Sequence, residues 1–505
     1  MGDLKIYYWL KLLLMTCVSI FCFNIVNAQT QKFQKVYGGY SYDQGNDLIQ
    51  MADTGYLLLC TSNSFSASSD IYLLKVDKMG NYEWQRTYGG NEIEGACKIK
   101  FTNDGNIVMA GHTSSFTSNS YDFYLIKANL LGDTIWTKHY GGSEWDFANS
   151  MDTCSDGGFI LAGKTYDTGN EFSDMLIIKV DANGNEQWQK KIGGNKDDVA
   201  NAIVTVPDGY LICGSSKSNG NGGSDIYVAK IDLNGNVVWE NYYGDQYDDE
   251  GTGIYLSIDN SIMFSGNRTT PIYPNNFNTY IRKIKYDGSI YWAFPNSTIG
   301  TVNTVTNSII EGFNKRVTTI GSFELNSPGI FDPVLFLWDS LSNYVNSGTF
   351  GGSFEDVGKS VIKTLDYGYA IIGTTNSFTA GLSNIYFIKT DTLLPSDVNL
   401  TVYVGVHEKS ILVEAQNQIY PNPIQHTATI ALNYPYSIFA NNNFNFCVTN
   451  QLGENVSNQV DFRIKDNSNS TKFIINNLSL ANGMYFYNIY VGGKTITQGK
   501  FTVLK

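Results

Sequence analysis

Short apolar runs bounded by turn residues recur along most of this chain. One run reads Asp70-Ile71-Tyr72-Leu73-Leu74-Lys75, and it returns as Asp122-Phe123-Tyr124-Leu125-Ile126-Lys127, Asp225 to Lys230 and Asn384 to Lys389. Aliphatic, β-branched and aromatic runs of about four to eight residues between Gly, Asn and Asp turns predict buried strands. The stretch from Phe147 to Ile192 holds four of them in order. Phe147 to Met151 is strand a, and Asp156-Gly157-Gly158 turns the chain into strand b, Phe159 to Gly163. A polar stretch leads to strand c, Asp174 to Asp181. Asn183-Gly184-Asn185 then turns into strand d, Gln187 to Ile192.

The other units keep this register. Strand b ends in glycine at Gly111, Gly163, Gly214, Gly266, Gly321 and Gly373, with Cys60 as the exception, and glycine there predicts close backbone approach or a bulge. Strand d carries Trp84, Trp136, Trp188, Trp239 and Trp292, which are expected to pack between neighbouring units.

A punctuating phrase sets the period. Tyr37-Gly38-Gly39 recurs as Tyr88-Gly89-Gly90, Tyr140-Gly141-Gly142, Ile192-Gly193-Gly194, Tyr243-Gly244-Asp245, Ile299-Gly300-Thr301 and Phe350-Gly351-Gly352, at spacings of 51 to 56 residues. Four strands per period predict an all-β, seven-bladed β-propeller with four-stranded blades. The last unit lacks a strand d, while Phe33 to Tyr37 stands before the first unit with the Phe-x3-Tyr-Gly-Gly spacing of Trp84 to Gly90. The N-terminal strand is therefore expected to complete the last blade and close the ring.

Composition narrows the class. Aromatic residues make up 14% of the 505 and favour strands. Formal charge is −13; residues 1–28 hold two Lys and one Asp, so their removal leaves −14. An acidic chain without basic patches is not expected to bind nucleic acid. Lys5, Lys11, the apolar stretch Leu12 to Phe23 and Val26-Asn27-Ala28 predict a signal peptide over residues 1–28, with no transmembrane segment left after its removal. Cys60, Cys97, Cys154, Cys213 and Cys447 then remain. With no CxxC spacing and three of the five in apolar runs, they are expected to be buried free thiols. The predicted layout is signal peptide 1–28, propeller 29–394, linker 395–418 and a terminal domain 419–505.

Up-and-down strands put the a–b and c–d turns on one face and the b–c and d–a loops on the other. The first set is tight. The second is longer and varied, as in His112 to Tyr121, Lys164 to Ser173 and Asn267 to Thr279, and varied loops on a repeating frame are where binding is expected. One carboxylate per blade heads strand a: Asp43, Glu94, Asp146, Asp198, Asp249 and Asp356, with the sixth blade lacking one. These are candidate binding residues at the mouth of the central channel. The competing reading makes each of them a cap bonding backbone amides of the preceding turn.

Catalytic constellations are missing. His112, His139, His407 and His426 form no metal-binding spacing, and there is neither a G-x-S-x-G elbow nor a Walker A loop. No catalytic residue, metal or cofactor is expected.

The tail after residue 418 alternates strands with short turns and predicts a small β-sandwich. Tyr420-Pro421-Asn422-Pro423, Leu452-Gly453, Gly483-Met484-Tyr485 and the basic end from Lys500 to Lys505 carry a resemblance to the C-terminal sorting domain (type A) of the type IX secretion system of Bacteroidetes. The resemblance implies an Ig-like sandwich, export through the secretion machinery, and release or attachment at the outer cell surface. Residues 32 to 391 also resemble propeller repeats of secreted proteins of those bacteria, a family that implies no catalytic residues. Kelch repeats share a glycine pair, but there the pair ends an inner strand. Three functions stay open: a glycan- or protein-binding module, a polysaccharide hydrolase or lyase, and a structural adhesin or scaffold.

Overall fold

The computed structural model describes residues 32–394 except 118–119, 167–170, 271–272, 294–302, 325–329, 340–343, 379–381 and 393. Of the tail it describes 419–504 except 421–426, 433–443, 451–454, 468–469, 477–478 and 492–493. The signal peptide and linker predicted above lie outside these residues. The chain divides into two compact units, Met1–Val406 and His407–Lys505.

The first unit is a β-propeller of seven four-stranded antiparallel sheets. Blade 1 runs Asp43–Gln50, Tyr56–Ser62, Asp70–Val76, Tyr82–Tyr88, and blade 2 runs Glu94–Phe101, Ile107–Thr113, Asp122–Ala128, Thr134–Tyr140. Blades 3 to 6 begin at Asp146, Asp198, Asp249 and Thr304 in the same a-to-d order. Blade 7 takes strands a to c from Asp356–Lys363, Gly368–Thr375 and Asn384–Asp391, and its fourth strand is Phe33–Tyr37. Phe33 pairs with Lys389 and Tyr37 with Ile385, antiparallel throughout. Each strand a packs against strand a of both neighbouring blades, including blade 1 on blade 7, so the ring is closed.

Burial follows strand position. Strands b and c lie between neighbouring blades and are apolar almost throughout, as in Asp70–Val76 and Ile107–Thr113. Strand d alternates toward solvent, as in Tyr82–Tyr88. Adjacent blades share apolar clusters. The one closing the ring joins Phe33 and Tyr37 to Tyr56, Leu58, Tyr72, Ile372 and Phe387. Cys60, Cys97, Cys154, Cys213 and Cys447 are all free; Cys60, Cys154 and Cys213 are buried, and Cys97 and Cys447 are half-buried.

The recurring residues have distinct jobs. Every strand a carries a bulge at one position: Asn46, Cys97, Asn149, Asn201, Thr252, Asn307 and Lys359. Beside the bulge, a carbonyl of strand a occupies the place a side chain would need at Gly163, Gly214, Gly321 and Gly373, which is why strand b carries glycine there. The strand does not end at it as expected but continues to Tyr166, Ser216, Glu324 and Thr375. The strand-d Trp packs on the c–d turn of the next blade. Trp188 Nε1 donates to Leu233 O and Trp239 Nε1 to Tyr286 O. Phe33 takes the corresponding place against Gly80 at the closure. The strand-c Lys reaches the a–b turn Asp of its own blade, as in Lys127–Asp104, Lys179–Asp156 and Lys230–Asp208.

One loop expectation needs correction. Asn267–Thr270 and Tyr273–Thr279 belong to strands rather than to a loop, because Ile262–Thr270 and Tyr273–Ile284 pair from Arg268↔Asn278 to Thr270↔Tyr273. Thr269, Phe277 and Thr279 are residue types that favour strands, and here both strands run past the end kept in the other blades.

In the second unit, a four-stranded sheet and the three-stranded sheet Phe444–Asn450, Gly483–Val491, Lys494–Val503 share one core. Ile475 of the first sheet meets Val448, Tyr487, Ile489 and Phe501 of the second there.

Candidate functional site

The six inner carboxylates sit where the period placed them, each as the first residue of strand a. Asp43, Glu94, Asp146, Asp198, Asp249 and Asp356 retain at most 1% exposure. Each accepts the backbone N–H four residues earlier: Gly39, Gly90, Gly142, Gly194, Asp245 and Gly352, at 2.7–3.0 Å. Hydroxyls of the loops and of strand b add to this. Ser64, Ser218 and Ser377 donate to Asp43, Asp198 and Asp356 at 2.6–2.7 Å, and Thr113 donates to Glu94 at 2.5 Å. These side chains therefore bind the d–a turn, and at this exposure they offer no oxygen to a ligand at the mouth. Burial, opposed by Ser62, Gly39 and Ser64, pushes Asp43 up. Burial also raises Asp249, to about 7, against the bond from Asp245 and the charge of Arg268.

A second row lies behind them. At one register position strand c of each blade carries Asp70, Asp122, Asp174, Asp225, Asn278, Asp332 or Asn384, and the strand a that follows begins with Glu94, Asp146, Asp198, Asp249, Thr304, Asp356 or Asp43. The first glycine of the Tyr-Gly-Gly phrase separates the two. A Cβ on Gly89, Gly141, Gly193, Gly244 or Gly351 would come within 3.0 Å of an oxygen of both acids at its junction. The glycine is thus the space that the acid pair fills.

The exposed asymmetry of the long-loop face was not among the expected site residues. The residue before the strand-a acid is Tyr42, Ile93 and Trp145 in blades 1 to 3, and all three are exposed, Trp145 at 53%. In blades 4 to 7 it is Asp197, Asp248, Asn303 and Glu355. Around Trp145 the rings converge. Tyr121 lies 5.9 Å and Phe147 6.2 Å from it, Tyr121 and Phe147 are 4.9 Å apart, and His112 is 5.2 Å from Phe147. Lys164 Nζ stands 5.4 Å over the Phe147 ring. Gly95 leaves room for the His112 imidazole, and burial holds that ring neutral with its pKa down at about 4, against the pull of Glu94. Tyr40 and Phe116 are exposed on the same loops. The legible signal was a break in the repeat, apolar in three successive blades and polar in four.

Of the sorting-motif residues, Pro421, Asn422, Pro423 and Lys505 lie outside the described residues. Gly483 opens a strand on which Tyr485 is buried, donates to Ala481 O at 2.9 Å and stacks on Phe501 at 5.6 Å. Lys500 is exposed on the last strand. Among the described residues, no group of three or more His, Cys, Asp or Glu could hold a metal ion, and no helix is long and apolar enough to cross a membrane.

Residues 418–503 match the secretion system C-terminal sorting domain. This region is a type IX sorting domain, which implies export and a cell-surface or secreted location. The regulatory protein FlaEY of Caulobacter vibrioides is 24% identical over 198 residues, covering 34% of this chain and 20% of that protein. The chain thus spans about a fifth of the length of that curated relative. The Pan2 WD40 domain of Neurospora crassa superposes with a TM-score of 0.42 at 11% identity over 74% of this chain and 97% of that one. The β-propeller domain of the Trilobed protease of Pyrococcus furiosus gives 0.43 at 12% over 73% and 100%.

Proposed function

We propose that this is an exported, non-enzymatic propeller that binds a glycan or a protein through its long-loop face. The observation behind the reading is the aromatic group of Trp145, Tyr121, Phe147 and His112, with Trp145 half-exposed at the inner end of blades 2 and 3. Exposed Trp and Tyr with a basic neighbour are the residue types that dominate recognition surfaces. The repeat breaks at this place, and a binding site on a ring of equal blades needs such a break. A glycoside hydrolase would ask for two carboxyl groups open to one cleft, whereas the inner acids are buried.

On the same reading, residues 1–28 are removed on export, 29–394 form the binding domain, 395–418 the linker and 419–505 an Ig-like sorting domain. The secretion machinery recognises that domain and delivers the protein to the medium or the outer surface. The test is a glycan array and a protein pull-down with the full chain beside Trp145→Ala. A ligand lost by at least about tenfold in the variant, with unchanged melting, supports the proposal. Equal binding by the two proteins, or product release from a bound polysaccharide, would sink it.

A further inference from the structure

The blade junctions carry chemistry that ligand binding does not use. Two of the acid pairs lack any basic partner. Among the described residues no Lys, Arg or His forms an ion pair with Asp70, Glu94, Asp332 or Asp356. Other junctions differ. His139 Nδ1 lies 3.0 Å from Asp122, Arg268 Nε 3.9 Å from Asp249, and Asp174 is only half-buried.

We propose that Asp70 with Glu94, and Asp332 with Asp356, each hold one proton between two carboxylates, so that both blade junctions weaken when that proton leaves for solvent. A Cβ on Gly89 would stand within 3.0 Å of both Asp70 Oδ1 and Glu94 Oε2, and one on Gly351 within 3.0 Å of both Asp332 Oδ1 and Asp356 Oδ2, so the two acids of each pair face one another across the glycine. Glu94 and Asp356 already have their oxygens engaged as acceptors, Glu94 of Gly90 N–H and the Thr113 hydroxyl, Asp356 of Gly352, Asn376 and Ser377. The proton therefore belongs on Asp70 and Asp332, each of which has a buried Oδ1 that accepts no hydrogen bond. Two like charges in so dry a place cost far more than one.

The chain supplies its own control. Where strand a begins with the neutral Thr304, the strand-c residue is Asn278 rather than Asp. At the ring closure the partner of Asp43 is Asn384, fully buried, an amide of the shape of a protonated Asp. Burial, with Ser66 opposing and Glu94 assisting, pushes Asp70 up to about 6. Burial and then the Asp356 charge push Asp332 up to about 7.

The titratable groups that sense the first pair are His112 and Tyr124, and the group that senses the second is Tyr386. Burial keeps all three neutral near neutral pH. Asp43 stands two strands from Asp70, across Ser62.

The sign follows from the raised values. The folded protein keeps protons that the unfolded chain has lost, so stability from these pairs is full below the ordinary carboxylate range and is lost as pH rises through about 6 to 7. Carboxylates whose values are lowered, such as Asp53 and Asp156, are ionised in both states above about pH 5 and do not mask the effect, whereas His112, down at about 4 in the fold, takes up at most one proton on unfolding below about pH 6.5 and offsets part of it there.

The experiment is thermal melting of the full chain with a chelator present. We expect the midpoint to fall by roughly 2–4 °C or more between about pH 5 and about pH 8. The double variant Asp70→Asn, Asp332→Asn should lose at least half of that fall, the other carboxyl groups that burial raises, Asp249 first and then Asp43, Asp146, Asp225 and Glu250, supplying the remainder. An unchanged fall in the double variant overturns the proposal. So does calcium chloride abolishing the fall in the parent but not in the variant, which would make the junctions cation sites. Should the variant not fold, the parent still decides. Its unfolding at about pH 6, followed by calorimetry in two buffers, must release protons, and no release overturns the proposal.

Discussion

The hydroxyl of Tyr37 donates to the carbonyl oxygen of Gly80 at 2.6 Å, joining the first strand of the chain to the c–d turn of blade 1. Tyr88 to Gly132 and Tyr140 to Gly184 repeat the bond at 2.6 and 2.7 Å between later blades. The N-terminal strand is therefore bound both to blade 7, through its ladder, and to blade 1, through the phrase it shares with the other units.

Removing this clamp in two steps tests the closure. Tyr37→Phe leaves the strand and loses one buried hydrogen bond, at a cost of about 1 kcal/mol. Deleting residues 29–38 also removes the ladder to Asn384–Asp391 and the Phe33 and Tyr37 side chains from the closing core. That change exposes a bare edge on an apolar blade. Melting should drop modestly for the substitution and by much more for the deletion, with loss of a single cooperative transition. Unchanged melting of the deletion protein would show that the ring does not depend on its first strand.

The architecture was readable because each repeated residue meets a repeated need. The strand-c run is apolar since both its faces are covered, and the Phe33 spacing matched Trp84 because both pack on a glycine turn of the next blade. The strand-a acids were found by position. Their burial was not readable, since a period shows that Asp146 recurs but not that Gly141 lets Asp122 approach it. The bulges escaped for the same reason: Asn149 and Asn201 look like ordinary polar strand residues until their amides are seen reaching Ala200 O and Gly251 O of the next blade. The Trp145 group escaped because attention to what repeats hides what does not.

The two glycines of one phrase should behave oppositely. A methyl group at Gly141 has Asp122 Oδ1 and Asp146 Oδ2 inside 3.0 Å, whereas at Gly142 nothing lies within 4 Å. Gly142 keeps its N–H for Asp146 when it becomes alanine. Gly141→Ala should therefore cost about 1–3 kcal/mol through overpacking of a junction that cannot open, and Gly142→Ala about 0.5 kcal/mol or less. Denaturant midpoints of the two variants decide the matter. Equal losses would mean that the acid pair does not fill the space beside the first glycine.

Lys389 offers a test of buried charge at the closing blade. Its side chain is 1% exposed, its Nζ lies 3.0 Å from Asp366 Oδ1 and 3.3 Å from Thr390 O, and Asp366 remains partly open to water. Burial draws the ammonium below its ordinary range while Asp366 draws it back. Removing the acid strands a charge in the interior, whereas removing the amine leaves a carboxylate that water can still reach. Asp366→Ala should therefore cost about 2 kcal/mol or more, and Lys389→Met about 1 kcal/mol or less, since its thioether fills the same channel between strands. The double variant should be no worse than Lys389→Met alone, because the stranded charge is gone. Urea midpoints of the three proteins give the comparison. If Lys389→Met is the more damaging single change, the pair stabilises the blade by attraction and the burden of burying the ammonium is the smaller effect.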